Sequence, residues 1–193
     1  MNSPYKGKNQ NEWLAVTKHL ITKHPLSTKE IKEVVLESWK EIFRSTIGKK
    51  NYRIGKDIFP KPQIMGFFLH EIIALEFERR YPKEWRKEKL AKDKDLIYIR
   101  DDKFSIEIKT SSNPKSIFGN RSYAQESSKD KKSKSGYYLA INFEKCTVEN
   151  IKPKILKARF GWLDHEDWMG QKAATGQQSR LSSQVENLKL IDL

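Results

Sequence analysis

KFSIEIKTSS, residues 103–112, is the stretch whose reading decides the fold. Alternate residues of a strand point to opposite faces, and residues two apart stand ~6.7 Å from one another on the same face. As a strand, the segment turns Phe104, Ile106 and Ile108 toward a core and sets Glu107 and Lys109 together on the other side. The Asp/Glu-x-Lys pattern alone decides nothing. It occurs four times, at Glu30/Lys32, Asp101/Lys103, Glu107/Lys109 and Asp130/Lys132. The first falls on an amphipathic helix, the second on a turn and the fourth in a Lys/Ser-rich loop, where solvated charges are ordinary. Only Glu107/Lys109 lies inside a strand with an apolar opposite face.

The strand before it sharpens the reading. Leu96 to Arg100 pairs with Lys103 to Thr110 across a turn at Asp101–Asp102. Leu96 and Tyr98 share the apolar face, so Asp95 falls on the side of Glu107 and Lys109. Directly opposed residues of an antiparallel pair share a face. A two-residue loop would oppose Asp95 to Ile108 and break the grouping. The grouping therefore requires an odd loop, of three or five residues, or a bulge. Two carboxylates on neighbouring strands can share Mg²⁺, with oxygens at ~2.1 Å. Such an ion lowers the pKa of a bound water and stabilises charge on a phosphoryl oxygen. Lys109 is placed to orient that water or the phosphate and to stabilise developing negative charge.

Working outward, Trp13, Val16, Leu20 and Ile21 mark one helical face, and Ser27 with Glu30 forms a capping-box pattern. The next helix carries Ile31, Val34, Val35, Ser38, Ile42 and Phe43 and runs to about Thr46, with Gly48 ending it. After a basic loop, Pro62 opens a long helix, QIMGFFLHEIIALEFERRY, apolar almost all round and expected to be buried. Glu71 lies in its middle. A buried carboxylate is costly unless paired or metal-bound. Two readings stay open: a helix-edge Glu paired with a Lys or Arg, or a third carboxylate of the site. Residues 111–135 read as a long loop with a short helix around Ser122 to Ser128. Tyr137 to Phe143, YYLAINF, suits a buried central strand. Residues 154–162 suggest another strand, and Gln178 to Asn187 a short helix.

The 193 residues suit one domain. The expected division is an N-terminal helical part (1–48), a core that carries the site (62–143) and a C-terminal part (144–193). The net charge of +13 points to a polyanion partner, most often nucleic acid. With Cys146 alone no internal disulfide can form, which fits a reducing cytoplasm. The first residues lack a secretory apolar stretch, and no apolar run approaches the ~20 residues of a membrane span. Other chemistries lack their residues. No His-x-Lys is present, no Cys/His cluster can bind zinc, and no phosphate-binding P-loop sequence occurs. Asp164-His165-Glu166-Asp167 reads as a turn or helix cap rather than a metal site.

Glu71 on a helix, then Asp95, then Glu107-Ile108-Lys109, resembles the PD-(D/E)xK nuclease superfamily, although Lys94 stands where the name has Pro. IFGNRSYAQ (117–125), GYYLAINF (136–143) and RFGWLDHEDWMGQKAATGQQ (159–178) look like the ScaI-like family of type II restriction endonucleases. The resemblance spans about residues 64–180. It implies a restriction-endonuclease-like α/β fold with a mixed, mostly antiparallel sheet flanked by helices. It also implies Mg²⁺-dependent cleavage of both strands of duplex DNA at a short palindrome by a homodimer, as part of a restriction-modification system. On that reading Asp95, Glu107 and the backbone carbonyl of Ile108 bind the metal, Mg²⁺ with Mn²⁺ as a substitute. Lys109 handles the nucleophile or phosphate, and Glu71 assists.

Phosphate contacts give affinity and base-edge contacts give sequence. Lys61, Arg79, Lys115 and Arg121 are candidates for phosphates. Asn120, Arg121, Gln171, Lys172, Gln177 and Gln178 have the residue types that read adenine and guanine edges. Polar, Gln-rich loops are also common at solvent-exposed ends. Two rival functions remain at this level: a repair or junction-processing nuclease with the same core, and a non-catalytic DNA-binding protein.

Overall fold

The computed structural model describes residues 3–125, 132–172 and 176–193. Two helices open the chain, α1 (Trp13–Thr22) and α2 (Thr28–Arg44). Ser27 caps α2 by accepting the Glu30 amide at 3.2 Å. The second helix ends at Arg44, earlier than expected. A small hairpin follows, β1 (Thr46–Ile47) with β2 (Tyr52–Arg53), and Gly48 at φ +69° serves its turn rather than the helix end. Next come α3 (Pro62–Arg80), β3 (Trp85–Lys87), β4 (Leu96–Tyr98) and β5 (Ile106–Ser111). The remaining elements are β6 (Phe118–Asn120), β7 (Gly136–Phe143), β8 (Ile155–Leu163), β9 (Met169–Gly170), β10 (Gln178–Arg180), α4 (Ser183–Leu188) and β11 (Leu190–Asp192).

The main sheet has the order β11-β8-β7-β5-β4-β3. Only the β5/β7 pair is parallel, so the sheet is mixed and mostly antiparallel, as expected. α1, α2 and α3 cover one face. There Ile31, Val35, Leu69, Ile73 and Phe77 pack on Leu96, Ile106, Ile108, Leu139, Ile141 and Phe160. Burying each such side chain contributes about 1.5–3 kcal/mol. The opposite face is covered too. Tyr138, Ala140 and Leu163 meet Ile117, Tyr123, Trp168, Leu181 and Val185 in a second, smaller core. β7 is therefore buried along its whole length, and its odd and even residues serve different cores.

Several expectations need correction. α3 is not buried all round: Ile64, Phe67 and Leu75 are 49%, 59% and 51% exposed. A helix laid on a sheet buries one side only, and this one buries Met65, Leu69, Ile73 and Phe77. Its contact with β5 is close, since a Cβ at Gly66 would lie 2.5 Å from Thr110 Oγ1. Gln178 to Arg180 is a strand, and the C-terminal helix is only Ser183–Leu188, capped by Ser182. β10 pairs with β6 and β9 in a second, three-stranded antiparallel sheet that the sequence did not suggest. The short helix expected around Ser122 to Ser128 is represented by a 3₁₀ turn at Arg121–Ala124, and its last residues lie outside the described residues. Asp130 also lies outside them.

Candidate active site

The β4/β5 register is the decisive observation. Leu96 faces Ile106 in an antiparallel pair, which brings Asp95 opposite Glu107. The connection, residues 99–105, is odd in number but longer than expected, because it holds a 3₁₀ turn at Asp102–Phe104. Phe104 thus leaves the strand, yet it still packs into the main core against Tyr137 and Tyr98. Ile106 and Ile108 are buried in that core, and Glu107 points the other way.

Asp95 is fixed by its neighbour strand: its Oδ2 accepts the Ile108 amide at 2.6 Å. Glu107 is 2% exposed. Its Oε1 accepts from Lys109 Nζ at 2.7 Å and from the Tyr123 hydroxyl. Its Oε2 lies 2.8 Å from Lys132 Nζ, and the same ammonium lies 3.1 Å from Asp95 Oδ1. One cation thus touches both carboxylates at once, so the pair is spaced to share a positive charge. The Ile108 carbonyl accepts from Lys109 Nζ at 3.3 Å, on the same edge of the site.

The electrostatics follow from crowding. Burial alone would raise the pKa of Glu107, but Lys109, Lys132 and Lys94 outweigh it and hold the carboxyl below the usual range. Burial lowers Lys132, but Glu107 and Asp95 outweigh it and the ammonium is held above its ordinary value. Lys94, the residue before Asp95, is 7% exposed and donates to the Ser133 carbonyl at 3.3 Å. Burial pushes its pKa down to about 8. Lys134 lies over the Tyr123 ring at 4.3 Å from its centroid, and Lys109 over the same ring at 4.6 Å. The site is rich in cations, as a site for a phosphodiester should be.

Glu71 pairs with Lys87 at the edge of α3. It lines a cleft between α3 and β5 with His70, Glu88, Thr110 and Gln178. His70 Nδ1 is 3.6 Å from Asp95 Oδ2, and burial lowers its pKa. Burial and then Asp95 raise Glu88. Lys132, Tyr123 and His70 were missed as site residues because each reaches the pair from another element, and Lys94 because it was weighed only as a departure from the Pro of the motif. Tyr123 left a trace within the IFGNRSYAQ segment, and Lys132 in the Asp130/Lys132 pattern.

The residues expected to read bases come together. Asn120 and Gln178 are cross-strand partners in the small sheet. The Arg121 amide donates to the Gln177 carbonyl at 2.8 Å, and the Gln171 amide to the Gln178 carbonyl at 3.0 Å. Lys172 lines the same concave surface as Gln171, Gln178 and Arg180. Of the phosphate candidates, Lys61 precedes α3 beside the cleft, and Arg121 belongs to this cluster. Lys115 is exposed, and its carbonyl accepts from Arg159 at 3.1 Å. Arg79 is set apart: it pairs with Glu76 at the far end of α3, about 13 Å along the helix from His70. Asp164 to Asp167 forms a capped 3₁₀ turn tied to Lys189, as a turn reading requires. Among the described residues no group of three or more His, Cys, Asp or Glu could hold a metal. Asp95 and Glu107 fit an ion that fills its remaining positions with a carbonyl and water. Among the described residues no helix is long and apolar enough to cross a membrane.

A family model described as ScaI restriction endonuclease matches residues 3–193. The type II restriction enzyme ScaI of Streptomyces caespitosus is 46% identical over 192 residues, covering 98% of this chain and 84% of that protein. No solved structure matches.

Proposed function

The chain belongs to the ScaI restriction endonuclease family, and on that premise we propose that it cuts both strands of duplex DNA at a short palindrome, with Asp95, Glu107 and Lys109 at the reacting phosphate. It is a type II restriction endonuclease by homology, with DNA as its substrate, and enzymes of this kind generally need a divalent metal. Membership also decides between the rivals, favouring restriction over repair and over binding without cleavage. The observation that carries the assignment of residues is the opposition of Asp95 and Glu107 around one cation.

Mg²⁺, with Mn²⁺ as a substitute, would be held by Asp95, Glu107 and the Ile108 carbonyl. Bound there, the ion supplies a water of lowered pKa and stabilises charge on the phosphoryl oxygens. The chain's own groups do the rest. The Ile108 amide holds Asp95 in one orientation. Lys109, anchored by Glu107, presents its ammonium to the attacked phosphate and its water. Glu71, tied to Lys87, assists from the cleft. Asn120, Arg121, Gln171, Lys172, Gln177 and Gln178 read base edges from the small sheet and its ends. One domain carries all of this, in the division into residues 1–48, 62–143 and 144–193. Two copies would place one site on each strand of a palindrome, and the cytoplasm is where such an enzyme meets DNA.

Incubation with several plasmids and Mg²⁺ tests the reading. Discrete, reproducible fragments are expected, with end mapping giving the sequence cut. Glu107→Ala and Lys109→Ala should abolish cutting while DNA is still bound. Unimpaired cutting by either variant refutes the assignment of these residues.

A further inference from the structure

We infer that Tyr123 is a positioning residue through which recognition of the base sequence sets the carboxylate Glu107. The inference rests on the proposed reading of Glu107 as a metal ligand and of Asn120 and Gln178 as base readers. Its basis is a short, continuous piece of chain. β6 ends at Asn120, the 3₁₀ turn Arg121–Ala124 begins at once, and Tyr123 of that turn donates its hydroxyl to Glu107 Oε1. Only two residues, Arg121 and Ser122, therefore separate a base-reading side chain from a hydrogen bond to the catalytic carboxylate.

Both ends of this piece are anchored. At the reading end, the Asn120 carbonyl accepts from Ser179 Oγ at 2.9 Å, and the Arg121 amide donates to Gln177. At the other end, Tyr123 is 6% exposed and its ring packs on Trp168 at 5.2 Å. Packing between is tight: a Cβ at Gly119 would lie 3.0 Å from both the Tyr123 ring and Ser179 Oγ. A turn so fixed cannot shift at Asn120 without shifting at Tyr123. Packed elements pass on small displacements rather than absorbing them. Lys109, the second donor to Glu107 Oε1, also rests on the Tyr123 ring, so movement of the ring moves both donors. Losing a hydrogen bond to a charged group is enough to change the occupancy of the site about tenfold or more.

The test uses the intact protein, Mn²⁺ as the probe and electron paramagnetic resonance as the readout. After end mapping gives the site, two duplexes are compared, the cleaved sequence and a one-base variant. Each carries a methylenephosphonate at the scissile linkage, which keeps the charge and prevents cleavage. Wild type is expected to bind Mn²⁺ more tightly with the correct duplex than with the variant. In Tyr123→Phe, which keeps the ring, that ratio should fall about tenfold, while metal-free DNA affinity changes less than about threefold. Asn120→Ala should lower the ratio as well, and the double variant should lower it no further. A ratio that survives in Tyr123→Phe, additive effects of the two changes, or a wild-type ratio near one each overturn the inference. Glu107→Ala separates the two levels. If it leaves Mn²⁺ binding intact, the metal site itself is wrong. If it abolishes binding while Tyr123→Phe keeps the ratio, only the role of Tyr123 is wrong.

Discussion

Replacing Lys132 with Met should strengthen binding of divalent metal, although it removes a residue from the site. The Lys132 ammonium lies 3.1 Å from Asp95 Oδ1 and 2.8 Å from Glu107 Oε2, and its side chain is 16% exposed. An ion shared by the same two oxygens cannot coexist with it, so binding must first break both contacts. Charge-assisted contacts of this kind are worth about 1.5–3 kcal/mol each, and partial exposure favours counting about one of them in full. Removing the competitor should therefore lower the dissociation constant for Mg²⁺ or Mn²⁺ by about ten- to a hundredfold. Lys132→Arg keeps the charge and should bind metal as weakly as wild type. Stability should move the other way. In chelator, Lys132→Met leaves Asp95 and Glu107 facing each other without their shared cation, a cost of about 1–3 kcal/mol. For a chain of this size that lowers Tm by about 2–10 °C, and added metal should restore it by mass action. Isothermal titration with Mg²⁺ and thermal unfolding with and without the ion measure both. An unchanged or weakened metal affinity in Lys132→Met would refute the view that lysine and metal compete for one position.

Two further outcomes follow from the core. His24 is packed among Trp85, Phe104, Tyr137 and Phe160, and burial pushes its pKa down from 6.5 to about 4. The unfolded chain binds the proton more readily, so stability is full above pH 6.5 and falls as pH drops toward 4. At pH 5 the loss should be about 2 kcal/mol. Urea unfolding of His24→Gln at pH 7 and pH 5 should show a pH effect smaller by that amount; matching pH profiles would count against it. Arg159, 3% exposed, donates to Glu186 Oε2 at 2.7 Å and to Asn142 Oδ1 at 2.9 Å. Arg159→Met should cost about 3–5 kcal/mol, because it leaves Glu186 charged and buried. Arg159→Met combined with Glu186→Met should recover most of the loss in urea unfolding, and a double variant as unstable as the single one would contradict this.

The sequence made some parts of the site legible and hid others, for physical reasons. Strand parity is local, so Glu107 and Lys109 could be set against Ile106 and Ile108 from ten residues alone. The apolar face of β4 extended that parity to Asp95, and the register bears the grouping out. The loop length was not legible, because a 3₁₀ turn adds residues without changing parity, and Asp101 capping the Lys103 amide gives no periodic signal. The small sheet was hidden because β6, β9 and β10 have two or three residues each, too few to alternate. α3 misled for the opposite reason. Its apolar residues outnumber what one face needs, and composition cannot tell that Phe67 and Leu75 stay in solvent.

Parity also explains why the proposed chemistry would lie where it does. A strand buried on one face only would leave Glu107 and Lys109 in water, where charges interact weakly. Here the far face of β5 and β7 is roofed by Ile117, Tyr123 and Trp168, so Glu107 is enclosed while remaining ionised. Enclosure makes every neighbouring cation count for more, and four lysines converge on one carboxylate from three segments: Lys94, Lys109, Lys132 and Lys134. Such an excess of positive charge suits a phosphodiester and opposes a metal ion. On the proposed reading of the site, both are satisfied if an ammonium moves from carboxylate to phosphate as DNA enters. Lys132 bridges both carboxylates, so its transfer would open the metal position and add a phosphate contact in the same step.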